Sequence, residues 1–167
     1  MASRGSDIDA EIDALFQRSL AEFTEARNAL AKTLKKDGRT LDAERVKTLI
    51  KPSAPAWAVN QLYWQDAKAI ERLLTVGERV RKAQTGQLKN ADVRALIDEK
   101  KEMTQALLKK ASAILEEGGQ AASADATRRV AATLEALAAW GHMNGVPKAG
   151  RLTADLEPPG FDTLAPL

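Results

Sequence analysis

The sequence predicts an all-α protein: a single bundle of about six helices with a long N-terminal helix and an extended C-terminal tail. Three observations carry this. Apolar residues recur at helical spacing over most of the chain, with no strand-like alternation. Capping residues and glycine or proline stops punctuate the periodic segments. Alanine, the strongest helix former, is abundant. At 167 residues, with 44% hydrophobic and 29% charged side chains, the chain suits one globular domain with its own core.

The first segment runs from about Asp7 to Asp37. Ile8, Ile12, Leu15, Phe16, Phe23, Ala26, Leu30 and Leu34 fall in one arc at 100° per residue, interrupted at Ser19. Ser6 is placed to cap this helix, acidic residues crowd its start, and Lys32, Lys35 and Lys36 suit its negative end. Asp37-Gly38 stops it. A short helix from Leu41 to Ile50 follows, capped by Thr40, with Leu41, Val46, Leu49 and Ile50 expected inward. It must end near Lys51, because a residue before proline is pushed out of the helical region. Ser53 caps the next helix, and Pro55 falls in its first turn, where no backbone donor is needed.

That third helix carries KPSAPAWAVNQLYW, with two of the three tryptophans and the only tyrosine of the chain. Trp57 and Trp64 share a face with Asn60 and Gln61 between them, while Val59, Leu62 and Tyr63 lie roughly opposite. A helix apolar around most of its circumference is expected to be buried among other helices. Trp57, Asn60, Gln61 and Trp64 therefore form a structural motif, with Asn60 or Gln61 expected to receive an indole N–H. A fourth helix spans about Ala67 to Thr85 and stops at Gly86. Asn90 caps a fifth, whose apolar face runs from Val93 through Leu96, Ile97, Met103 and Leu107 to Leu115, before Gly118-Gly119. Ser123 caps a sixth, which reaches Trp140. The helical domain is thus expected over 1–140. Residues 141–167 form a Gly/Pro-punctuated tail, in which Leu152, Leu156, Phe161 and Leu164 either dock on the bundle or lead into a further C-terminal region.

No catalytic constellation is visible, and no catalytic, cofactor or metal residue is assigned. Cysteine is absent, which removes disulfides and thiol chemistry, and the one histidine, His142, sits in a glycine-rich linker. Phosphate-cradling loops and nucleophile elbows are missing from the sequence. So is the Glu-x-x-His pattern of carboxylate-bridged metal bundles. Glu99 with Glu102, and Asp9 with Asp13, have helical spacing but fall on faces expected to meet solvent.

The sequence has no apolar run long enough to span a bilayer and no apolar leader at its N-terminus, so a cytoplasmic location without membrane contact is expected. The net charge of +2 announces no partner, but its distribution is uneven. Residues 1–26 hold two bases and six acids, a net of −4, whereas residues 27–51 hold eight bases against three acids, a net of +5. Arg27, Lys32, Lys35, Lys36, Arg39, Arg45, Lys47 and Lys51 are accordingly the candidate DNA- or RNA-binding residues. The bland alternative is a solvated helix end. The favoured function is a non-enzymatic protein-interaction module, scaffold or regulator, with a protein partner or a homodimer. An unbroken first helix of about 45 Å would outrun the helices able to cover it. Strict coiled-coil heptads are absent.

FTEARNALA, KPSAPAWAVNQL and GRLT together resemble an uncharacterised bacterial all-helical family with the patterns F-x-x-x-R-N-x-L-A, K-P-S-x-x-A-W-x-x-N-Q-L and G-R-L-T. The matching positions are Phe23, Arg27, Asn28, Leu30 and Ala31; Lys51, Pro52, Ser53, Ala56, Trp57, Asn60, Gln61 and Leu62; and Gly150, Arg151, Leu152 and Thr153. The resemblance covers most of the chain. It implies an all-helical fold and relatives that continue into alanine- and charge-rich helical sequence. It implies no activity, substrate or catalytic residue.

Overall fold

The computed structural model describes the backbone of residues 4–158 and the side chains of residues 8–158. Over that range the protein is all-helical: α1 (Arg4–Phe16), α2 (Leu20–Lys36), α3 (Thr40–Lys47), α4 (Ala54–Gln65), α5 (Ala67–Gln84), α6 (Val93–Glu117) and α7 (Ala124–Trp140), followed by a 3-10 turn at Ala149–Arg151. Apolar residues at helical spacing collect into two cores. Ile8, Ile12, Leu15 and Phe16 of α1 meet Phe23 and Leu34 of α2 and Ala43 and Val46 of α3, with the Phe16 and Phe23 rings 5.3 Å apart. The larger core joins α4 to α7 around Val59, Leu62, Leu73, Leu115, Val130 and Leu134. Helix α4 lies at its centre, packing on α5, α6, α7 and the 3-10 turn. The molecule is thus a three-helix arm on a four-helix body, joined through side chains of α4.

The main departure from expectation is at the N-terminus. The single helix over 7–37 is two helices, broken at Gln17–Ser19. Its apolar stripe folds back on itself and on α3, so the unbroken stripe of about 45 Å expected to face a second subunit is replaced by two shorter faces, with Ala26 and Leu30 left half-covered. Helix α1 begins at Arg4, ahead of the expected cap Ser6, whose side chain lies outside the described residues.

Arg39, not Thr40, precedes the first turn of α3, and Leu41 and Ile50 point outward, 86% and 66% exposed. Ala43 and Val46 fill the inner face of this two-turn helix instead. Asp92 caps α6 through Ala95 N–H, while Asn90 adopts the left-handed conformation of the preceding turn. Ile97 is on the outer side of α6. The caps expected at Ser53 and Ser123 are present, each accepting a bond from a backbone N–H three residues on. Leu152 is buried and Leu156 packs against the larger core. Phe161 and Leu164 lie outside the described residues.

Candidate functional site

Helix α4 is where the sequence is most unusual, and both indole N–H groups, the Asn60 amide and the Gln61 N–H of its motif are turned onto backbone. Trp57 Nε1 donates to Arg18 O at 2.9 Å, and Gln61 Nε2 donates to Phe16 O at 2.9 Å. The Phe16 carbonyl ends α1, where no intrahelical donor reaches it, and the Arg18 carbonyl lies in the break that follows. Two side chains of α4 therefore cap the break that ends α1. Ser19 begins α2 without a side-chain cap of its own. On the same side of α4, Asn60 donates to Leu152 O and accepts from Leu152 N–H, both at 2.8 Å. Trp64 Nε1 donates to Gly150 O at 3.0 Å. The indole partners are thus backbone carbonyls, not Asn60 or Gln61 as expected. Trp57, Asn60 and Gln61 are buried and Trp64 is half-buried.

The GRLT segment is gripped at each residue. A Cβ on Gly150 would come within 2.7 Å of the Tyr63 ring and 2.9 Å of the Trp64 ring, so only glycine fits between helix and turn. Arg151 pairs with Asp13 at 2.6 Å and with Asp9 at 3.4 Å, and its other amino group donates to Asp9 O. Thr153 O accepts from Ser53 N–H, and the Ser53 hydroxyl donates to Asp155 Oδ1 at 2.6 Å. Asp155 in turn pairs with Arg129 of α7. Ser53 thus both caps α4 and fastens the tail.

Around Arg151 a hollow of about 320 Å³ is lined by Asp9, Asp13, Tyr63, Trp64, Lys148 and Arg151. Its charges neutralise one another. The hydrogen bond from Arg45, with help from Arg151, holds the Asp9 carboxyl below the usual carboxylate range. The bond to Asp13 pushes the Arg151 guanidinium up. A carboxylate stabilised in its ionised form is a poor proton donor near neutral pH. Asp9 and Asp13 are thus half-buried ion-pair partners, not the solvent-facing pair expected.

The eight basic candidates divide. Arg27 donates to Leu49 O at 2.9 Å and closes the end of α3. Arg39 bridges Asp42 and Glu11, and Arg45 pairs with Asp9. These three arginines tie the arm together. Lys32, Lys35, Lys36, Lys47 and Lys51 are exposed. His142 sits between two carboxylates of α5, 2.9 Å from Glu78 and 3.6 Å from Glu71, and pins the loop after α7. Glu99 and Glu102 are exposed on α6. Among the described residues no three His, Asp or Glu side chains converge as metal ligands, and no helix is long and apolar enough to cross a membrane.

Sequence reasoning did not find Asp155, Arg129 or the carbonyls of Phe16 and Arg18. Their partners lie 26 to 102 positions away, at separations no periodicity reveals. Compared with protein-family models, curated proteins and solved structures, the chain matches none.

Proposed function

We propose that this chain is a non-enzymatic protein-interaction module, a scaffold or regulatory piece in which α4 holds a three-helix arm rigidly on a four-helix body. The observation that carries this reading is the orientation of the Trp57-Asn60-Gln61-Trp64 row. Both indole N–H groups, the Gln61 N–H and the Asn60 amide are bonded to the carbonyls of Phe16, Arg18, Gly150 and Leu152 and to the Leu152 N–H. The most distinctive residues of the sequence thus position other segments. What they position outward is the face between α1 and α2 and the exposed side chains Leu41 and Ile50. The α1–α2 face carries a groove with a partly apolar lining, a feature of association surfaces, while Leu41 and Ile50 are exposed elsewhere on the arm.

The test is site-resolved photo-crosslinking in the native host, with a photoreactive residue substituted at Ala29 or Leu41 on the arm and at Ala113 on α6 as control. The module reading expects discrete protein adducts from the arm positions and not from the control. Adducts to nucleic acid, lost when Lys32, Lys35 and Lys36 are replaced, would move the assignment to a DNA- or RNA-associated protein. An arm no more reactive than the control would remove the reading.

A further inference from the structure

We infer that the α1–α2 face of the arm is a self-association surface, on which a second copy of this chain docks with its α2 antiparallel to the first. This rests on the interaction-module reading and names its partner. A groove of about 590 Å³ runs between α1 and α2. Ala14, Ala26, Ala29 and Leu30 give it a small apolar floor, and Glu22 and Glu25 stand on its α2 edge. A floor of alanines admits another helix close to the backbone, which larger side chains would hold off.

The charges on α2 select the occupant. Glu22, Glu25, Ala29, Lys32 and Lys36 are spaced by alternating steps of three and four, so they form one line along the helix, and all five are exposed. The acidic half of that line is N-terminal and the basic half C-terminal, with Ala29 between them. None of the four charged residues forms an ion pair among the described residues. Glu22 and Lys36 are fourteen positions apart, some 21 Å along the helix at about 1.5 Å per residue, too far to meet within one chain. A parallel copy would set like charges together. An antiparallel copy crossing near Ala29 sets Glu22 and Glu25 against the Lys36 and Lys32 end of its partner, and twofold symmetry repeats the match. A self-complementary patch of this kind is what an isologous interface requires. Because these charges are at the surface, the association should weaken with salt, whose screening length is about 8 Å at physiological strength.

Sedimentation velocity from micromolar to millimolar protein, at low and high salt, tests this. The wild-type chain should show a monomer–dimer equilibrium that weakens as salt rises. E22K/E25K and K32E/K36E should each weaken dimerisation by about tenfold or more, the scale of several exposed ion pairs acting together. The two double variants mixed should form a heterodimer. The variant carrying all four changes should recover the wild-type dimer. Circular dichroism melts confirm that each variant is folded. The chain has no cysteine, so Ala29→Cys gives a clean orientation test. Near a twofold axis it should oxidise to a covalent dimer much faster than Ala113→Cys on α6. A wild-type monomer at every concentration in low salt would overturn the proposal. So would a dimer indifferent to the charge reversals, or equal oxidation at the two cysteine sites. A monomer whose Ala29 position still crosslinks to other proteins in cells would remove the second copy and leave the interaction module standing. Failure of both experiments would remove both.

Discussion

Asn60 offers the Leu152 peptide the same donor and acceptor that a neighbouring β-strand would, at 2.8 Å in each direction. Both groups are buried, so removing the amide leaves a backbone N–H and a C=O without partners. Asn60→Ala should therefore cost about 1–3 kcal/mol of unfolding free energy. Asn60→Asp should be at least as damaging, since a carboxylate oxygen would face the Leu152 carbonyl in place of a donor. Trp57 combines packing with one hydrogen bond, and two substitutions separate them. Trp57→Ala should cost about 3–5 kcal/mol through the cavity. Trp57→Phe keeps part of the ring and loses the bond to Arg18 O, at about 0.5–1.5 kcal/mol for the bond itself plus any loss of packing. Urea unfolding of the four variants measures all of this. Unchanged midpoints for Asn60→Ala and Trp57→Ala together would mean that the row is a contact surface. The burial of this row was legible from its place on an all-round apolar helix. Its partners were not, because a backbone carbonyl leaves no mark in a sequence and can be reached from any distance along the chain.

Helix packing supplies a sharper steric case at Gly77 of α5. A Cβ there would fall 1.9 Å from the carbonyl oxygen of Ala138 in α7, so the two backbones meet directly at the crossing. Neither side can yield by rotating a side chain. Gly77→Ala should separate α5 from α7 and cost about 1–3 kcal/mol despite alanine's better helix propensity. The same helix anchors the loop after α7, and Glu78 makes that anchor sensitive to acid. Hydrogen bonds from Lys82 first and His142 second lower the Glu78 carboxyl from 4.5 to about 2. A carboxyl held lower in the folded state favours folding above its unfolded value, and that contribution fades as pH falls from about 4.5 towards 2. Glu78→Gln should flatten the dependence of the unfolding midpoint on pH within this window. An unaltered slope would show that the pairing contributes nothing in solution. The helices whose ends are set locally were legible: Ser53 and Ser123 cap through their own first turns, and glycine closes α6. The α1–α2 break was not. Gln17-Arg18-Ser19 holds no glycine or proline, and the donors that stabilise the break come from Trp57 and Gln61. In α3, only two turns long, the pattern allowed more than one inward face, and Ala43 with Val46 occupies it in place of Leu41.

At the scale of the molecule, two separate cores imply two cooperative units, and α4 decides how tightly they are coupled. The arm is fastened to the body through the caps at Phe16 and Arg18, the Arg151 ion pairs with Asp9 and Asp13, and the buried Leu20. Gln61 belongs to the body by packing but bonds to the arm, so its removal should act on coupling more than on the larger core. Gln61→Ala is accordingly expected to leave amide exchange in α5, α6 and α7 close to wild type while speeding exchange in α1 and the first turn of α2. Loss of a buried partner for the Phe16 carbonyl, at about 1–3 kcal/mol, corresponds to roughly five- to 150-fold faster exchange there if α1 opens as a unit. Uniform acceleration across all seven helices would mean that the protein unfolds as one block and that the arm has no independent opening. Selective acceleration would place α1, one wall of the groove between α1 and α2, at the least stable end of the fold, where an occupant of that groove would rigidify it and raise its protection in turn.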